Sequence, residues 1–127
     1  MIHILLVSRE RTTMSAVRAG LEDNGTQTAW AESGSYALSK IADRDFDLVV
    51  TDENLVDMTG LELIKTAVKM KPLVNFAAVS SRSSKEFHEA SEGLGILMQL
   101  PVNPGYEQAK QLLEHLKKIQ HLSTGAA

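Results

Sequence analysis

The chain has 127 residues, 43% hydrophobic and 23% charged, proportions that fit one globular domain with a single core. A formal charge of −3 and the absence of any Lys/Arg run argue against a nucleic-acid-binding stripe or a polybasic membrane anchor. Cysteine is absent, which excludes disulfides and thiolate metal sites.

The apolar run Ile4–Val7 is too short for a signal-peptide core and lacks a positive flank. No stretch approaches the roughly 20 apolar residues of a membrane span. The expectation is a soluble, cytoplasmic domain.

In chain order, Ile4-Leu5-Leu6-Val7 reads as a strand covered on both faces. Met14, Val17 and Leu21 then recur at helical spacing between Arg11 and Asn24, where Asn24-Gly25 supplies the stop. Thr26 to Ala31, with Trp30, reads as a second strand. Gly34 to Ala42 reads as a helix with Ala37, Leu38 and Ile41 inward. Phe46 to Thr51 is rich in β-branched residues and forms the third strand. The helix after Gly60 carries Leu61, Ile64 and Val68 on one stripe and ends before Pro72. Phe76 to Val79 is a fourth strand, Ser84 to Glu92 a short helix, and Ile96 to Leu100 a fifth strand. The last helix spans about Tyr106 to Gln120, with Ala109, Leu112, Leu113, Leu116 and Ile119 inward. The domain is expected over residues 1–122, with 123–127 a frayed tail.

Five strands alternating strictly with five helices imply an α/β fold, a doubly wound parallel sheet with right-handed crossovers. Functional groups in such folds gather beyond the carboxyl ends of the strands, near the point where strand order reverses. That rule directs attention to Ser8-Arg9-Glu10, Thr51-Asp52-Glu53-Asn54, Ser80-Ser81 and Leu100-Pro101. Asp52, closing the third strand, is the strongest candidate as nucleophile, ligand or base; its alternative role is to bracket the following loop.

Other chemistries lack their residues. His3, His88, His115 and His121 form no i,i+4 pair for zinc. Ser80-Ser81 with His88 lacks a Gly-x-Ser-x-Gly elbow. No Gly-x-Gly-x-x-Gly or Walker-type loop follows the first strand. Trp30 is most simply a packed strand residue.

The segment Phe46-Asp47-Leu48-Val49-Val50-Thr51-Asp52, then Asn54-Leu55 and Met58-Thr59-Gly60-Leu61-Glu62-Leu63-Ile64, resembles the receiver domain of two-component response regulators. The likeness is to the chemotaxis-regulator type and runs from Ile4 to about Leu116. It implies the flavodoxin-like (βα)₅ receiver fold, with Asp52 as phosphoacceptor and Ser80 as the hydroxyl that senses a phosphoryl group. It further implies Mg²⁺ as cofactor, for which Asp52 and the backbone carbonyl of Asn54 remain as ligands.

This sequence departs from the family at four places. Ser8 and Arg9 stand where the family has the acid pair that holds Mg²⁺. Leu100 replaces the Lys before Pro101, and Leu97 the aromatic switch residue. Glu10 is the nearest acid able to substitute for the missing pair. Arg9 either points to solvent or forms a bidentate pair with Asp52 in the space of the ion.

The expected function is that of a response regulator receiver in a two-component phosphorelay, not an enzyme. It acts through protein contacts, with Asp52 as candidate phosphoacceptor and a degenerate site around it. The alternative is a phosphorylation-independent pseudo-receiver, which the missing acids and Lys favour. Implied partners are a sensor histidine kinase or histidine phosphotransferase and a downstream protein target. Neither direct nucleic-acid nor membrane contact is expected. The domain would be a monomer or a weak homodimer through helix 4, strand 5 and helix 5. Length leaves room for no output domain, so output is expected to pass through binding, unless the chain is an excised module.

Overall fold

The computed structural model describes residues 1–124, with side chains through Gln120. The elements are β1 (His3–Val7), a 3₁₀ turn (Arg11–Met14), α1 (Ser15–Asp23), β2 (Gln27–Ala31), α2 (Gly34–Asp43), β3 (Leu48–Thr51), α3 (Gly60–Met70), β4 (Asn75–Val79), α4 (Ser84–Ala90), β5 (Met98–Leu100) and α5 (Tyr106–Thr124). The expected tail begins inside α5 at Ser123 and Thr124; its residues 125–127 lie outside the described residues.

All strand pairs are parallel, in the order β2-β1-β3-β4-β5. This is the flavodoxin-like order, in which the chain reverses its direction of growth between β1 and β3. Alternate side chains leave opposite faces of each strand and build two cores. Ile4, Leu6, Leu48, Val50, Val79 and Leu100 meet α1 and α5 on one face. Leu5, Val7, Val49, Phe76 and Ala78 meet α2, α3 and α4 on the other. Ile4–Val7 of β1 and Leu48–Val50 of β3 are therefore continuous apolar runs, because neither face reaches water.

Helix starts follow side-chain capping. Ser33 accepts from the Tyr36 amide, Ser83 from Glu86, and Thr59 forms a reciprocal capping box with Glu62.

Three expectations about the helices are corrected. The segment from Arg11 is a 3₁₀ turn before α1 proper. The buried stripe of α3 is Gly60, Leu63, Ile64 and Ala67, with Leu61 and Val68 only half-buried at its margins. Ile119 is 39% exposed. It lines a cleft with Phe46, Asp47, Val74 and Asn75, at the start of β3 and β4.

Candidate functional site

The ends of β1 and β3 meet where strand order reverses, and the backbone binds them: the Asp52 amide donates to the Val7 carbonyl at 2.8 Å. Asp52 is half-buried there, and its Oδ1 accepts the Glu53 amide at 2.8 Å. It shares an open cleft with Arg9, Glu10, Thr13, Glu53, Asn54 and Val102. Asp52 thus directly follows β3 and lines one cleft with Arg9 and Asn54.

Ser8 has a different task. It is wholly buried, and its hydroxyl donates to the Glu10 carbonyl at 2.7 Å while accepting the Trp30 indole N–H at 3.1 Å. Trp30 itself is half-buried on edge strand β2, with the Arg11 guanidinium 4.6 Å from its ring centroid. Ser8 therefore ties β1 to β2 through one hydroxyl that both donates and accepts, a task that fits a small neutral residue at this place.

Arg9 is exposed, and the Arg9–Asp52 pair is not formed: the ion pairs among the described residues are Arg18–Glu22 and Lys71–Asp45. A long cationic side chain on an open loop gains more from water than from a half-buried carboxylate. Glu10 is also exposed. Leu100 is wholly buried in the core shared with α1 and α5. Its backbone carbonyl accepts the Ser80 amide at 3.0 Å, fixing the end of β4 beside β5.

Ser80 closes β4, and its hydroxyl donates to Glu53 Oε2 at 2.9 Å. Ser81 gives the same carboxylate its amide, at 3.0 Å to Oε2, and its hydroxyl, at 2.9 Å to Oε1. Burial pushes the Glu53 carboxyl up, yet the Ser81 and Ser80 hydrogen bonds and the nearby Arg82 charge hold it below its usual value. Glu53 lies in a segment the sequence points to, but its role there is the one that reading the sequence misses. Its signal lies in strand register: Thr51 pairs with Ala78, so two residues further Glu53 stands opposite Ser80.

The loop after β3 is anchored at its far end by Asp57, whose carboxylate accepts the Gly34 and Ser35 amides at 2.8 and 2.9 Å. Those bonds, Ser35 first and then Gly34, lower the Asp57 pKa. A depressed carboxyl contributes above its unfolded value and loses that contribution as pH falls through its folded value. The Gly34 and Ser35 amide resonances are expected to titrate with a midpoint below the ordinary aspartate range. A midpoint at or above that range would contradict the anchor.

Among the described residues, no three His, Asp or Glu side chains converge as a metal-holding group, and no helix is long and apolar enough to cross a membrane.

A five-stranded parallel α/β sandwich with a half-buried Asp at its β1–β3 switch point defines a doubly wound protein of the flavodoxin-like class. Within that class, residues 4–101 match the family model described as the response regulator receiver domain, and the chain belongs to that family. It is 28% identical over 126 residues to the transcriptional regulatory protein ZraR of Salmonella typhimurium, covering 98% of this chain but 28% of that protein. It is 38% identical over 63 residues to the chemotaxis protein CheY of Pseudomonas aeruginosa, covering 49% of this chain and 51% of that one. A receiver domain protein from Methanospirillum hungatei, described as CheY-like, superposes with a TM-score of 0.80 at 27% identity, covering 93% of this chain and 95% of that one. The chain thus spans about a quarter of the length of the first of these regulators.

Proposed function

We propose that this receiver domain signals through protein–protein contacts without phosphorylation, its Asp52 crevice having become part of the scaffold. The observation that carries this reading is what fills the positions around Asp52. Ser8 and Leu100 are wholly buried, the first with its hydroxyl committed to Glu10 and Trp30, the second packed in the core. Neither brings charge to Asp52. Phosphoryl transfer relies on metal and cationic positioning, because the transferred group is strongly anionic.

The donor set does not fit Mg²⁺. Asp52 offers a single carboxylate with one oxygen already hydrogen-bonded, Asn54 could add a carbonyl, and the neighbouring Glu53 carboxylate is turned to Ser80 and Ser81. We assign no enzymatic activity to the domain. Its partners, by family, are a histidine kinase or histidine phosphotransferase and a downstream protein. The contact face would comprise α4, β5 and α5, where Val102 and Tyr106 are each 57% exposed.

The test is incubation with acetyl phosphate, or with beryllofluoride, in the presence of Mg²⁺, followed by mass spectrometry and NMR. No adduct on Asp52 is expected. An adduct abolished by Asp52→Asn would return the domain to the class of phospho-switches, with Ser80 as the sensing hydroxyl.

A further inference from the structure

We propose that Glu53 is a built-in anion that holds the head of the β4–α4 loop in place, so that the loop needs no phosphoryl group to order it. This rests on the receiver reading above and concerns the regulation of the same site.

Three donors at the head of the loop converge on one carboxylate: the Ser80 hydroxyl, the Ser81 amide and the Ser81 hydroxyl, at 2.9, 3.0 and 2.9 Å. A carboxylate accepting several short bonds at once is a charge-assisted contact, stronger than a neutral one. Glu53 is held in place to receive them. Its amide donates to Asp52 Oδ1, and its carbonyl accepts the Gly60 amide at the start of α3 at 3.0 Å. The side chain therefore leaves a backbone fixed at both ends, next to Asp52 and opposite the end of β4.

The loop is gripped from its other side as well. The Gln99 side-chain amide of β5 donates to the Ser80 carbonyl at 3.2 Å and to the Arg82 carbonyl at 2.8 Å. The Arg82 amide in turn donates to the Ser80 hydroxyl at 3.2 Å. Residues 80–82 are thus bracketed between the Glu53 carboxylate, just beyond β3, and the Gln99 side chain of β5. A further anion on Asp52 would find the Ser80 and Ser81 donors already taken. α4 follows directly at Ser84, so holding this loop also sets where α4 begins.

The closing experiment is amide hydrogen exchange by NMR on the full chain, with no phosphodonor present. In the wild type the Ser81 and Arg82 amides are expected to be protected. Glu53→Ala should speed Ser81 exchange by about tenfold or more, as loss of a hydrogen bond to a charged acceptor requires. Leu5 and Val49 in the sheet should be unchanged, which separates a local release from general destabilisation. Ser80→Ala should release Arg82 and leave Ser81 protected. Equal Ser81 exchange in wild type and Glu53→Ala overturns the proposal, as does Ser81 protection that appears only after beryllofluoride and Mg²⁺ are added. An Asp52 adduct formed on a loop already protected would instead overturn the phosphorylation-independent reading and leave the role of Glu53 standing.

Discussion

Replacing Gly60 with alanine is expected to lower the stability of the domain by about 3 kcal/mol, the upper part of the range for overpacking a tight core. The thermal midpoint should fall by roughly 10 °C for a chain of this size. A Cβ on Gly60 would stand inside contact distance of the Asp52 carbonyl oxygen, and 3.0 Å from Thr51 Cγ2. Neither neighbour can withdraw cheaply. Asp52 is joined to β1 through its amide, and Thr51 is a wholly buried residue of β3 that donates its hydroxyl to the Asp52 carbonyl. The strain would fall on the turn that presents Asp52 and Glu53, so Ser81 protection should weaken along with stability. Gly93 provides the contrast. It has a positive φ of 83° but nothing near its would-be Cβ, so Gly93→Ala should cost only about 1 kcal/mol. Thermal and denaturant unfolding of the two variants decides the matter; equal midpoints would refute the close approach of α3 to Asp52.

That contrast bears on what the sequence can disclose. Gly60 is visible as a helix start, and Leu48 to Thr51 as a buried strand, because local chemistry sets both: a missing Cβ, a capping box, an unbroken apolar run. Asp52 is legible for the same reason, since a charged residue ending a buried strand must lie at a strand mouth. β3 nonetheless begins at Leu48 rather than Phe46. Asp47 turns its backbone and carboxylate to His3, with its amide donating to the His3 carbonyl and Oδ2 accepting the His3 amide, both at 2.8 Å. β5 is only Met98–Leu100; Gly95, with a positive φ of 66°, turns the chain ahead of Ile96 and Leu97, which precede the strand. The role of Glu53 depends on partners 27 and 28 residues away. Only the register of β3 against β4 brings them together, and no local pattern encodes that register. Ser8 is similar: its indole partner Trp30 comes from the neighbouring strand, so a reading confined to family positions sees only a lost acid.

On the phosphorylation-independent reading proposed above, placing charge at Ser8, Arg9 and Leu100 should make Asp52 competent. The variant carrying Ser8→Asp, Arg9→Asp and Leu100→Lys is expected to take beryllofluoride on Asp52 with Mg²⁺, and to gain on the order of 100-fold in acetyl-phosphate reactivity over the wild type. Each change has a distinct effect. Arg9→Asp acts on an exposed residue and removes a cation from the cleft at no packing cost. Ser8→Asp keeps an acceptor for the Trp30 indole N–H but gives up the donor to the Glu10 carbonyl. Leu100→Lys is the expensive one. Leu100 is wholly buried, so an ammonium there is stripped of water and left unpaired unless its stem lets the charge reach Asp52. Folding is therefore checked first, by the cooperativity of unfolding. If the triple variant fails to fold, the pair Ser8→Asp and Arg9→Asp still tests the metal half, since Mg²⁺ affinity read by NMR titration should rise as carboxylates join Asp52. A folded triple variant that forms no adduct, or a folded pair with unchanged Mg²⁺ affinity, would mean that something other than these substitutions closes the site. Glu53 is then the group to release, because its hold on Ser80 and Ser81 leaves a phosphoryl oxygen without their donors even when metal and cation are back in place.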